Sequence, residues 1–382
     1  IGDNTDATDD YAVIDERPSL WERIRGHVLV FDGPLMFSLA LLVALSLVTM
    51  YSAALDYDGR LQDHVRNLLI AFAIMWIAAN LPLQWVQRTA VPVYLLGIAL
   101  LVGVALFGDI SKGARRWLDL GVTRIQPSEL MKIAMPLMIA WYFQRREGAR
   151  TWADFAIAAA LLALPVWLIA RQPDLGTALL VTAAGLYAIF LAGLSWKLIA
   201  GGLVAGIAAL PVLWSVLHDY QRHRVLMMID PSSDPLGKGF HVIQSTIAVG
   251  SGGIWGKGWT EGTQAHLEFI PERTTDFVFA VFSEEFGLIG NSVLLLVYLL
   301  LIGRGLVIAA NGANIFARLL AGSITLIFFT YAFVNIGMVS GILPVVGVPL
   351  PLMSYGGTAM VTLGLGAGLL MAISRQRKLM QT

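Results

Sequence analysis

Several acids and bases in this chain stand where an apolar run begins, and these are the groups able to do chemistry. Asp276 ends the run Phe269-Ile270-Pro271-Glu272-Arg273-Thr274-Thr275 and precedes Phe277-Val278-Phe279-Ala280, so it sits where water meets an apolar segment. An acid in the first turn of a helix is often only a cap for exposed amides. Here Ser283-Glu284-Glu285 follow within three further turns, and charges at membrane depth are functional candidates by default. A carboxylate held at such a boundary is a candidate general base for a weakly acidic hydroxyl.

A second constellation lies in Gln126-Pro127-Ser128-Glu129-Leu130-Met131-Lys132. Glu129 and Lys132 are three apart, so a helix places them on one face and an ion pair is expected. That pair either hides two charges from lipid or touches a substrate. Arg171-Gln172-Pro173-Asp174-Leu175-Gly176 is a tight turn whose Arg171 and Asp174 either pair or face a cavity, with a structural role favoured. The run Val249 to Trp259 holds five glycines, two tryptophans and Lys257. It either brings backbone amides to a phosphate or sugar, or turns at headgroup depth with tryptophan anchors, and it lacks the Lys-Ser/Thr ending of a phosphate-binding P-loop. The stretch Gly341 to Ala359 is apolar yet carries three prolines, so it cannot be helical throughout. Irregular backbone at that depth must be packed in protein or line a cavity.

The elements that position these groups follow from composition. Of 382 residues, 57% are hydrophobic and only 14% charged, with a mean hydropathy of +0.71, which excludes a soluble enzyme. Near-continuous apolar runs such as 37–48 and 294–302 lack the alternation of a β-barrel strand. An all-α integral membrane protein is expected, with about ten transmembrane helices near 34–54, 67–86, 89–107, 127–144, 153–170, 175–194, 196–217, 276–303, 316–340 and 353–373. A large external loop, 218–275, separates spans seven and eight, and a connection that long is usually functional. Residues 1–30, rich in aspartate, form a polar cytoplasmic tail opposite in charge to a signal peptide's basic start, and 31–382 form one polytopic membrane domain. With no cysteine, disulfides and thiolate metal sites are excluded. Equal numbers of acids and bases, 26 each, give no reason to expect nucleic acid as a partner.

Basic residues divide almost evenly between alternate connections, so their number does not orient the chain. Their placement does: Arg145, Arg146 and Arg150, and Arg375, Arg377 and Lys378, sit tight against span ends, which puts both termini in the cytoplasm. The loop 108–126 then faces outside with Lys112, Arg115, Arg116 and Arg124, an excess that an external anion would explain.

Asn335, Gly341, Pro344, Gly347, Ser354-Tyr355-Gly356-Gly357 and Ala359 resemble the signature of the SEDS family (shape, elongation, division and sporulation). The resemblance extends to Gly113-Ala114-Arg115-Arg116-Trp117-Leu118, Gln126-Pro127-Ser128-Glu129, Gln172-Pro173-Asp174-Leu175-Gly176 and Pro271 to Phe277. Pro271-Glu272-Arg273 and the Gly341 to Pro351 run look like the elongation branch, the RodA-like members, more than the division branch. Thr275 departs from the family, which usually shows histidine before the aspartate.

That resemblance implies a ten-helix peptidoglycan glycosyltransferase that polymerises lipid II at the outer face of the bacterial cytoplasmic (inner) membrane. It implies a catalytic Asp276, and substrate contacts at Trp117, Glu129 and Lys132, with Arg124 in the same matched run. The chemistry agrees. A sugar hydroxyl is a poor nucleophile that needs a base, and an α-linked pyrophosphate donor giving a β-1,4 bond calls for direct inversion. Arg115, Arg116, Arg124 and Lys132 would stabilise the departing pyrophosphate. A divalent cation such as Mg or Mn could share that task, although no cage of ligands is visible in the sequence. The partners implied are lipid II, a class B penicillin-binding protein transpeptidase, other membrane proteins of the elongation complex and membrane lipids. A lipid II flippase and a division-type polymerase are the alternatives.

Overall fold

The computed structural model describes residues 31–111, 114–119, 124–146, 151–172, 174–216, 222, 238–267, 269–270 and 272–381. The expected polar tail 1–30 lies outside them. The helices are α1 (Gly33–Ala53), α2 (Arg60–Asn80), α3 (Leu83–Phe107), α4 (Pro127–Arg145), α5 (Trp152–Ala170), α6 (Leu175–Leu191), α7 (Trp196–Val216), α8 (Lys238–Ser251), α9 (Thr263–His266), α10 (Val278–Ala310), α11 (Ile315–Val339) and α12 (Gly357–Gln381). Among the described residues, six of these (α1, α3, α5, α10, α11 and α12) are long and apolar enough to cross a membrane. The protein is a multi-pass, overwhelmingly helical membrane protein, as its composition requires.

Two expectations change. The second span begins at Arg60 rather than 67, because Pro82 closes the helix early and a charged first turn, with Asp63 and Arg66 paired at 2.9 Å, extends it toward water. The loop expected over 108–126 carries a small antiparallel meander, β1 (Asp109–Ser111), β2 (Ala114–Asp119) and β3 (Arg124–Ile125). The apolar periods that predict spans carry no information about so short a hairpin.

Buried helices α4 and α11 form the middle of the bundle, with α6, α10 and α12 around them. In lipid, apolar burial between helices supplies little drive, so close packing must hold them. Gly364 and Gly368 on α12, one turn apart, let that helix approach the Ala71 and Met75 carbonyls of α2, where an added Cβ would collide. At one end Asp32 caps α1, its carboxylate accepting from the Leu35 amide at 3.2 Å. The same carboxylate accepts from Arg304 of α10 at 2.6 and 2.8 Å and from Ser374 of α12 at 2.7 Å. Burial pushes this carboxyl's pKa up, but those hydrogen bonds outweigh it and hold it below the ordinary value.

The 218–275 connection is more ordered than its composition implies, since α8 and the single turn α9 lie within it. Its glycine-rich run resolves the two readings. Helix α10 breaks at Gly287, whose φ of 61° and ψ of −159° suit only glycine. The break frees carbonyls and amides that residues 249–267, a strap across α10, take up: Lys257 and Gly258 amides donate to the Glu284 and Glu285 carbonyls at 3.0 and 3.1 Å. In return Leu288 and Ile289 amides donate to the Gly253 and Ile254 carbonyls at 2.9 and 3.2 Å. Gly256 must be bare because its backbone touches that of α10. The glycines thus serve a protein backbone at depth, where every polar group needs a partner, and Trp259 anchors the strap by donating to the Val48 carbonyl at 3.0 Å.

Candidate active site

A cavity of about 540 Å³ opens among α4, α6, α8, the segment before α10 and the irregular stretch between α11 and α12. Asp276, Glu129, Lys132 and Arg116 all line it, although they stand on elements up to 160 residues apart in the chain.

The segment carrying Asp276 is held from several sides. Buried Arg273 donates to the Ala53 carbonyl at 3.0 Å and to Asp56 at 2.5 Å, and lies over the Tyr57 ring at 5.0 Å, which ties the segment to the end of α1. The Tyr355 amide donates to the Thr274 carbonyl at 2.8 Å. Asn335 of α11, wholly buried, donates through Nδ2 to the carbonyls of Asp276 at 2.9 Å and Val348 at 2.7 Å. One side chain therefore fixes the acid-bearing segment against the proline-rich stretch. Gly347, at φ 72°, faces Asp276, and a Cβ there would come within 3.3 Å of its Oδ2. The N-cap of α10 is Phe277, whose side chain makes no cap hydrogen bond, and Asp276 stands one residue before it.

Opposite stands the pair on α4. Pro127 starts this helix with its fixed φ, which puts Glu129 in the first turn and Lys132 one turn on. Lys132 Nζ donates to Glu129 Oε1 at 2.6 Å and to the Tyr331 hydroxyl of α11 at 2.6 Å. Thr362 of α12 donates to the other Glu129 oxygen at 3.3 Å. Lys132 is 1% exposed yet lines the cavity.

Arg116 on β2 reaches the cavity with its Nε 3.8 Å from Asp174 Oδ2. Asp174 also accepts from Gln126 Nε2 at 3.2 Å and caps α6 through the Thr177 amide at 3.1 Å. Arg171 does not pair with it; its guanidinium lies over the Trp167 ring at 4.4 Å. Trp117, next to Arg116 on β2, is half-buried and outside the cavity lining, as alternation along a strand dictates. Arg115 and Arg124 stand in strand register opposite Ile110 and Asp119, and their side chains are outside the described residues. Among the described residues, no three histidine, aspartate or glutamate side chains gather as metal ligands.

Asp174 lines the cavity, the less favoured of the two readings of its turn, while one further lining residue and one residue behind the lining escape sequence reasoning. His241 sits on α8, a helix hidden within a connection that shows no apolar run, and stacks on Phe277 with ring centroids 6.0 Å apart. Tyr331 is one hydroxyl on an apolar helix; its only signal is that a phenol at membrane depth needs a partner.

The family model FTSW_RODA_SPOVE, described as cell cycle protein, matches residues 32–379. The chain belongs to this family. Relatives within the FTSW_RODA_SPOVE family include the peptidoglycan glycosyltransferase MrdB of Escherichia coli K12, 48% identical over 365 residues, covering 95% of this chain and 97% of that protein. The probable peptidoglycan glycosyltransferase FtsW of Geobacter metallireducens is 36% identical over 316 residues, covering 81% and 83%. Among solved structures, a chain reported under "Structural coordination of polymerization and crosslinking by a peptidoglycan synthase complex" superposes with a TM-score of 0.80 at 36% identity, covering 91% of this chain and 99% of its own. The helical bundle is thus a fold shared with that solved chain.

Proposed function

We propose that this protein is a peptidoglycan glycosyltransferase of the elongation type, which polymerises lipid II into β-1,4-linked glycan strands at the outer face of the inner membrane. The observation that carries the reading is the meeting of Asp276 with the cations Lys132 and Arg116 in a single cavity, where Glu129 is engaged by Lys132 and Asp174 by Gln126 and the Thr177 amide. The acceptor's sugar hydroxyl gives its proton to Asp276 as its oxygen attacks the anomeric carbon of the donor. The bond to pyrophosphate breaks on the opposite side, which inverts the α-linkage to β without an enzyme-bound intermediate. Lys132 and Arg116 meet the charge that grows on the leaving pyrophosphate, so that it departs unprotonated. Arg115, Arg124 and Trp117 extend the substrate surface along the outer hairpin. Identity of 48% to the Escherichia coli MrdB, against 36% to the Geobacter metallireducens FtsW, supports elongation over division.

Both termini are cytoplasmic in this reading. A class B penicillin-binding protein crosslinks the product, a pairing supported by the solved relative's place in a complex of polymerisation and crosslinking.

The test is polymer formation from lipid II by purified protein. Asp276→Asn keeps the shape of the side chain and loses proton acceptance, so it should fold and polymerise about 10²–10⁴ times more slowly. Full activity in the folded variant would remove Asp276 from the chemistry and favour a flippase. A cysteine placed at Lys112 in this cysteine-free chain should react with an impermeant thiol reagent from outside; reaction only after permeabilisation would invert the topology.

A further inference from the structure

An ammonium group has three N–H donors. Around Lys132 two are committed, to the Glu129 carboxylate and to the Tyr331 hydroxyl, both at 2.6 Å. These partners stand on different helices, α4 and α11, and both are buried, Tyr331 entirely. The ammonium also lies 5.0 Å from the centroid of the Tyr331 ring. A lysine on a four-carbon stem has many rotamers, and a lone salt bridge to a residue three positions away on its own helix would leave Nζ free to swing about that carboxylate. A second anchor on an opposing helix removes that freedom. The remaining donor is left for the cavity that Lys132 borders.

We infer that Tyr331 is a positioning residue for the transfer reaction: its hydroxyl, with Glu129, holds Lys132 so that the third N–H faces the substrate's pyrophosphate. Tyr331 is not itself in the cavity lining and acts through the lysine. The inference rests on the reading of the cavity as a glycosyl-transfer site. It goes further by naming a device, a hydroxyl on α11, that couples the rigidity of the bundle centre to the direction of one ammonium N–H. Positioned donors of this kind act because they need no reorganisation when charge develops.

Tyr331→Phe isolates the claim, since it keeps the ring and its stacking on the ammonium and deletes only the hydroxyl. The probe is undecaprenyl pyrophosphate in detergent micelles, whose binding is measured without any catalytic step. Removal of one hydrogen bond that orients a charged donor should weaken binding about 3- to 10-fold, and polymerisation of lipid II by at least as much, with the melting temperature lowered by no more than a few degrees. In a Lys132→Met background the same substitution should change binding by less than about twofold, the scatter expected of independent sites. An equal loss with and without the lysine would overturn the inference, as would wild-type binding and activity in Tyr331→Phe. If the phenylalanine variant does not fold, a fluorinated tyrosine at 331, whose oxygen is a weaker acceptor at nearly equal volume, should lower binding in the same direction; unchanged binding there would overturn it too. A failed Asp276→Asn test leaves this binding cycle intact, so the two readings fail separately.

Discussion

Two Lys–Glu pairs are buried in this bundle at the same Nζ to Oε1 distance, 2.6 Å, and they do different work. In the pair Lys132–Glu129 the lysine side chain is 2% exposed and the carboxylate 11%. In the pair Lys257–Glu284 the order reverses, with the lysine 28% exposed and the carboxylate at zero. Glu284 also accepts from the Thr263 hydroxyl at 3.0 Å and from the Gln264 amide at 3.1 and 3.2 Å, so its oxygens are saturated by the strap that it fastens. Its neighbour Glu285 takes the Ser52 hydroxyl of α1. Around Lys132 the saturation is incomplete on the side of the cation, and that side borders the cavity. Lys257 also commits two of its donors, to Glu284 and to the Thr263 hydroxyl at 2.8 Å, but its side chain is 28% exposed and outside the cavity lining, so the two pairs differ in what the spare donor faces.

The largest expected effect comes from breaking the first pair. Lys132→Ala leaves Glu129 buried without its counter-charge, which should cost about 3–5 kcal/mol of stability, and should remove polymerisation as well. The exchange Glu129→Lys with Lys132→Glu restores the pair's charge. It should recover most of that stability, read by thermal unfolding, while staying at least about 10²-fold below wild type in rate. An active exchange variant would make the first pair a staple like the second.

An intermediate effect is expected at the second pair. Glu284→Gln keeps a hydrogen-bonding side chain but loses the charge assistance to Lys257, and should lower stability by about 1.5–3 kcal/mol. Polymerisation per folded molecule should stay within a few fold of wild type. A loss of activity without a loss of stability would move Glu284 into the site and break the comparison.

The smallest effect belongs to Arg116, whose side chain is 32% exposed and 3.8 Å from its acid. Arg116→Ala should weaken undecaprenyl pyrophosphate binding a few fold in dilute buffer. The difference from wild type should shrink as salt rises, because a Debye length of about 8–10 Å screens a cation that water can reach. A loss independent of salt would show a contact sealed from solvent and place Arg116 beside Lys132 in kind.

What the sequence determined alone follows from rules that hold locally. Twenty-residue apolar stretches must be helices in lipid, so the bundle and most of its spans could be read directly, and the spacing of Glu129 and Lys132 implied their pairing before any packing was known. Asp276 stood out because a charge at an apolar boundary is costly wherever the rest of the chain goes. Tertiary structure decided the rest, because donor saturation is a property of neighbours from other elements. Nothing near Lys132 in the chain announces Tyr331, 199 positions away. Nothing in Val249 to Trp259 tells that its glycines close on a broken helix rather than on a phosphate, since both tasks ask for the same bare backbone. The acid before α10 shares a cavity with Lys132 of α4 and Arg116 of β2 only once Asn335 and the proline-rich stretch around Gly347 hold its segment in the folded bundle.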